Sequence, residues 1–176
     1  MFRAIISFML LPIFCVEANH DLAKVMAGYE GHWHGHVEYN DRQGEVKTQA
    51  TVELVAILAQ NDTALVKQYA FSEAGHQTRA TALFALDVTG RKAIESYFTA
   101  SQRYLFSYDV VESDYQNKFN WRYTLTEYGI NNNMPATITR KVQRKGNILN
   151  SKTFVRYDHS PYQQLLRDSM MLATNN

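Results

Sequence analysis

The sequence predicts an all-β protein: an antiparallel up-and-down barrel of about nine to ten strands with a short helix at each end. Three observations carry that expectation. From Glu45 to Leu58, Val46, Thr48, Ala50, Val52, Leu54, Ala56 and Leu58 alternate with Glu45, Lys47, Gln49, Thr51 and Glu53. That is the period of a long half-buried strand. Similar segments recur along the chain, each closed by turn residues such as Gln60-Asn61-Asp62-Thr63 and Lys145-Gly146-Asn147. No repeat, linker or low-complexity tract interrupts them, so one domain is expected over 19–176. Consecutive antiparallel strands with short turns favour closure, which removes exposed edges. An open, curved sheet wrapped on the terminal helix is the alternative.

In chain order, Asn19 is placed to cap a helix in which Leu22, Val25 and Met26 fall on one face, with Gly28 ending it. The first strand runs from Gly31 to Tyr39. After the Glu45–Leu58 strand, Leu65, Lys67, Tyr69 and Phe71 alternate with Val66, Gln68 and Ala70, and the inward side is undecided. Ala80, Ala82, Phe84 and Leu86 share a face, as do Ile94, Ser96 and Phe98, then Tyr104, Phe106, Tyr108 and Val110. Asp114 to Lys118 reads as a polar loop. Trp121, Tyr123 and Leu125 share the next apolar face with Phe119. Asn131 to Pro135 reads as the longest irregular connection, followed by strands at Ala136–Arg144 and Ile148–Tyr157. Ser160 and Pro161 look like a helix start, with Tyr162, Leu165, Leu166 and Ser169 on one face of a terminal helix.

The first eighteen residues read as a secretory signal peptide. Arg3 supplies a positive start, Ala4 to Cys15 an apolar core too short to span a membrane, and Val16-Glu17-Ala18 a cleavage site. The expectation is export, to a bacterial periplasm or beyond. Cys15 is the only cysteine, so no disulfide is expected in 19–176. A net charge of +1 gives no electrostatic reason to expect nucleic acid or an anionic membrane as partner.

The stretch Gly31-His32-Trp33-His34-Gly35-His36-Val37-Glu38-Tyr39 carries the most information. Trp33, Gly35, Val37 and Tyr39 share one face, and His32, His34, His36 and Glu38 the other. Gly35 leaves room beside Trp33 for the indole or a ligand, and Ala50 and Ala56 add interior space. Neighbouring histidines lie about 7 Å apart along a strand, so His34 and His36 could meet one metal ion with a third ligand from elsewhere. A polar, histidine-rich outer face accounts for them equally simply.

The helix residues Leu22 to Met26, followed by Gly31-x-Trp33-x-Gly35 opening the first strand, resemble the calycin group, the lipocalins and their bacterial relatives. Nearest in length are the nitrobindin-like haem-binding barrels and secreted domains of the DUF1579 kind, which Trp121, Pro135, Arg140 and the Ile148–Tyr157 strand also resemble. The nitrobindin-like pattern continues with a glycine where this chain has Val37, and then a tyrosine at the place of Tyr39. In lipocalins an arginine of the last strands covers the tryptophan, and Arg140, Arg144 and Arg156 are the candidates here. The resemblance implies a barrel that holds a small molecule. A haem-ligating histidine, by the same resemblance, would have to be His76 or His159.

No nucleophile elbow, phosphate-cradling loop or zinc-protease signature occurs, so an enzyme is the weaker expectation. It would need a carboxylate such as Glu95 or Glu127 beside a histidine. The sequence points instead to an exported binding protein for a small apolar or amphipathic molecule. Trp33, Tyr39, Trp121 and Tyr123 would line its pocket, and Arg140 would cover an end or meet a polar head. The alternatives are a haem- or metal-binding barrel using His34 and His36, and an envelope scaffold without ligand.

Overall fold

A computed structural model describes residues 18–40, 45–59, 64–87, 91–131, 133–160 and 163–173. The signal-peptide reading therefore lies outside the described residues, apart from Ala18. The helix forms as α1, Ala18–Tyr29, with Leu22, Val25, Met26 and Tyr29 buried along one stripe. Burying each such side chain is worth roughly 1.5–3 kcal/mol, which anchors a helix too short to persist alone. Asn19 falls inside it rather than at its start, and Gly28 does not end it. A side chain on Gly28 would meet the Trp121 indole at 2.4 Å, so glycine here admits Trp121 against the helix.

Ten strands follow: β1 Gly31–Asn40, β2 Val46–Leu58, β3 Ala64–Glu73, β4 His76–Asp87 and β5 Lys92–Thr99, then β6 Arg103–Asn117, β7 Asn120–Asn131, β8 Met134–Lys145, β9 Ile148–Tyr157 and β10 Gln163–Leu172. Each pairs antiparallel with the next, and β1 pairs with β10, so the sheet is a closed up-and-down barrel. The all-β barrel expected from the alternation is the fold.

The terminal helix is not. Its residues from Gln163 onward form β10, which fills the gap between β1 and β9. Leu166, Asp168, Met170 and Leu172 lie opposite the inward residues of β1, and Asp168 breaks the apolar alternation that would have marked a strand. Closure decides the matter, because without β10 two sheet edges would stay unpaired. Pro161 and Tyr162 lie outside the described residues.

Two expected loops also fold as strand. Asp114 to Asn117 continue β6 past a bulge between Val110 and Glu112, where Arg122 of β7 pairs with both Glu112 and Asp114. Asn131 to Pro135 reduces to a tight β7–β8 turn, with Ile130 opposite Pro135 and Asn133 at φ 59°.

The helix stops one end of the barrel. Trp33 Nε1 donates to the Tyr29 carbonyl at 3.0 Å, and the Trp121 ring stacks on Tyr29 at 5.6 Å. Arg144 is the arginine over the tryptophan. Its guanidinium lies between the rings of Trp33 (4.9 Å) and Phe119 (5.0 Å), and donates to the Gly28 carbonyl and, at 2.8 Å, to the Gly146 carbonyl. A cation on the last carbonyls of α1 also complements the helix dipole.

Gly35 serves the wall rather than the lumen. A Cβ there would sit 2.0 Å from the Ser169 carbonyl oxygen and 2.7 Å from the Met170 Cα, both backbone atoms of β10. Gly35→Ala is therefore expected to destabilise by about 1–3 kcal/mol or more, since the strand itself must shift. Urea denaturation of the two chains measures this, and an unchanged midpoint would refute the close approach.

Candidate functional site

Beyond the α1 plug the barrel holds a cavity of about 540 Å³ that is partly open to solvent. Its walls are aromatic and aliphatic, and one charged layer crosses it. Along β3, the undecided alternation resolves with Leu65, Lys67, Tyr69 and Phe71 facing in, and Lys67 is only 2% exposed. On β5 the inward face is Ala93, Glu95 and Tyr97, while Ile94 and Phe98 face out. Glu95 is 1% exposed.

Lys67 donates to one oxygen of Glu95, and Arg140 from β8 donates to the other. Burial alone would raise the Glu95 pKa, but the charges and hydrogen bonds of Arg140 and Lys67 more than offset it and hold the carboxyl down to about 2. Glu95 in turn keeps Arg140 firmly charged against the effect of burial. The cations rest on aromatic faces: Lys67 over Phe84 at 5.1 Å and Tyr29 at 5.7 Å, Arg140 over Tyr108 at 5.5 Å.

Asp168 of β10 joins the same layer, opposite Ser151 across the β9–β10 ladder. Burial raises its pKa, while a hydrogen bond with Ser151 and the charges of Arg140 and Lys67 pull the other way. Its Oδ1 is buried without a hydrogen-bond partner. Burial likewise pushes the Tyr108 hydroxyl up to about 12, so that phenol stays protonated at neutral pH.

An arc of rings runs along one wall: Phe71, Tyr69, Tyr97, Tyr104, Phe106 and Tyr108, with successive centroids 5.7, 6.2, 6.3, 6.1 and 5.7 Å apart. Such spacing allows attractive edge or offset contacts and leaves ring faces available to a guest.

Of the residues expected at the pocket, Tyr123 and Arg140 line it. Trp33 and Trp121 do not. They belong to the helix plug, where Arg144 and Gly28 hold them. The Tyr39 side chain lies outside the described residues, although its backbone pairs with Thr48 and Leu166. His34 and His36 are exposed on the outer face of β1, away from the cavity, with Glu53 and Thr51 opposite them on β2. Among the described residues no group of three or more histidine, cysteine or acidic side chains is placed to hold a metal ion. Among the described residues no histidine lines the cavity, so neither Glu95 nor Glu127 has a described one beside it there. Ala50 and Ala56 also stand apart from its lining.

Sequence reasoning missed Lys67 and Asp168. A lysine within the otherwise uncharged Leu65–Phe71 face was the available signal. Nothing in the spacing placed Asp168 inward, because its segment was read with the wrong period.

No family model matches the chain, and no curated protein matches its sequence. Its fold is similar to that of Rv2717c from M. tuberculosis, at a TM-score of 0.63 and 12% identity, covering 85% of this chain and 95% of that one. A protein of unknown function of the DUF3598 family from Nostoc punctiforme aligns over 86% of this chain and 98% of its own, at 5% identity, but its TM-score of 0.23 carries no argument. At this identity the likeness extends to the fold alone, a closed antiparallel barrel.

Removing one partner of the buried triad leaves Lys67 unpaired in an apolar setting. Glu95→Gln is expected to cost about 3–5 kcal/mol. The Glu95 pKa is depressed in the fold, so its contribution is present above about 4.5 and is lost as pH falls towards about 2. Urea midpoints followed across that window should fall more steeply for the unmodified chain than for Glu95→Gln. Parallel curves would show that the triad is not an ion pair.

Proposed function

We propose that this chain is a binding protein that holds one small amphipathic molecule within its calycin-like barrel. The cavity carries the reading. Its volume of about 540 Å³ falls among ligand pockets, which span roughly 300–1,000 Å³ and combine apolar walls with a few placed polar groups. Barrels of about eight strands either fill with side chains or hold one small ligand, and ten strands enclose a wider interior.

The apolar or aromatic part of the guest lies against the Phe71-to-Phe106 part of the arc and the Tyr123 face. Its polar head meets Arg140, whose guanidinium offers five N–H donors in a fixed fork, more than the one oxygen of Glu95 takes up. Burial raises the pKa of Asp168, which weakens its competition for Arg140, and the unused donors of Arg140 favour an acidic head. Export to the bacterial envelope, read from residues 1–18, belongs to the same proposal. No helix among the described residues is long and apolar enough to cross a membrane.

Native mass spectrometry of the protein recovered from its own cells should show one bound small-molecule mass. The anionic aromatic probe 1-anilinonaphthalene-8-sulfonate should bind at one site. Arg140→Gln should weaken that binding at least about tenfold, or about 1.4 kcal/mol, with near-ultraviolet dichroism unchanged. A clean apo mass together with no probe binding would remove the proposal.

A further inference from the structure

We propose that the guest reaches the cavity sideways, through a notch between β6 and β7 that the Glu127 carboxylate latches. The inference rests on the binding reading above and adds its route of access.

The β6–β7 ladder runs from Asn117 and Asn120 only as far as Asp109 opposite Thr126. Both strands continue beyond that point, β6 back to Arg103 and β7 on to Asn131, but they no longer pair with each other. Each is held from its other side, β6 by β5 and β7 by β8. β2 and β3 also both run on past Thr51 and Ser72, but β3 only by Glu73, so among the described residues this is the longest stretch where neighbouring strands both continue without a ladder. Five residues at 3.3 Å each make the notch about 16 Å long.

A side-chain hydrogen bond bridges it. Glu127 Oε1 accepts a hydrogen bond from the Ser107 backbone N–H at 3.2 Å, in the place where a strand carbonyl would otherwise serve. The other oxygen, Oε2, is buried with no partner. A carboxylate on a flexible stem can swing aside by rotamer change alone, without breaking the neighbouring ladders.

The banks suit passage of an apolar molecule. Leu105 and Phe106 on one bank, and Gly129 and Ile130 on the other, line the cavity itself. Gly129 leaves open space, since a Cβ there would meet only the Glu127 side chain at 3.8–4.0 Å. Outside, Leu105 and Ile130 are each 71% exposed and Tyr128 68%. An apolar lip of this kind lets a guest leave water before it enters the lumen.

The test closes the notch and reads rates against affinity. Continuing the register would set Leu105 opposite Ile130, so the full chain with Cys15→Ser, Leu105→Cys and Ile130→Cys carries a disulfide across the gap when oxidised. Stopped-flow binding of 1-anilinonaphthalene-8-sulfonate should then show association and dissociation both about tenfold or more slower in the oxidised form than in the reduced form of the same chain, with the Kd of the two forms within about threefold. Gly129→Phe, which needs no oxidation, should slow both rates in the same way. Glu127→Ala should speed both. If the probe binds but closing the notch leaves its rates unchanged, access is through the barrel end and the notch is overturned while the binding reading stands. If the unmodified chain binds no probe at all, the binding reading fails and the notch falls with it.

Discussion

Closure of the sheet is the constraint on which the other features depend. A meander of strands β1 to β9 leaves two long edges, and β10 joins them by pairing with β1 on one side and β9 on the other. The joint is tight enough that only glycine fits at position 35, where the β10 backbone crosses. Once closed, ten strands enclose a wide interior. Part of it is filled by α1, which brings Tyr29, Trp33 and Trp121 together under Arg144. The rest remains as the cavity.

Charge in that interior has a physical price, and the fold meets it by pairing. Lys67 and Glu95 are almost wholly buried, and neither would be stable there as a lone ion. Sharing Glu95 between Lys67 and Arg140 satisfies both carboxylate oxygens. An apolar layer of equal volume would serve stability as well or better. A charged layer across a cavity is therefore better understood through what it can recognise than through what it stabilises.

The wall around this layer is uneven. Continuous ladders hold most of it, while β6 and β7 part beyond Asp109 and Thr126 and are joined there by the Glu127 side chain. Backbone ladders open only by cooperative unfolding, whereas a side-chain latch opens by rotation. On the proposed reading, the part of the barrel that holds the guest and the part that yields to it are adjacent and distinct.

The alternation of Glu45 to Leu58, the amphipathic Leu22–Val25–Met26 stripe and the Gly31-x-Trp33-x-Gly35 opening determined the fold class, the first helix and the first strand. Those are local patterns, set by residues that repeat with the period of one element. Tyr123 and Arg140 were legible as candidates, and both line the cavity, because each stands out on its own strand. What tertiary structure alone decided involves partners distant in sequence. Glu95 can face inward only because Lys67 and Arg140, 28 and 45 residues away, converge on it. Residues 163–172 are a strand and not a helix because two edges needed a partner, a requirement that no local period records. Trp33 and Trp121 went to the plug for the same kind of reason: an indole beside an open lumen and one beneath a helix look alike until α1 is docked.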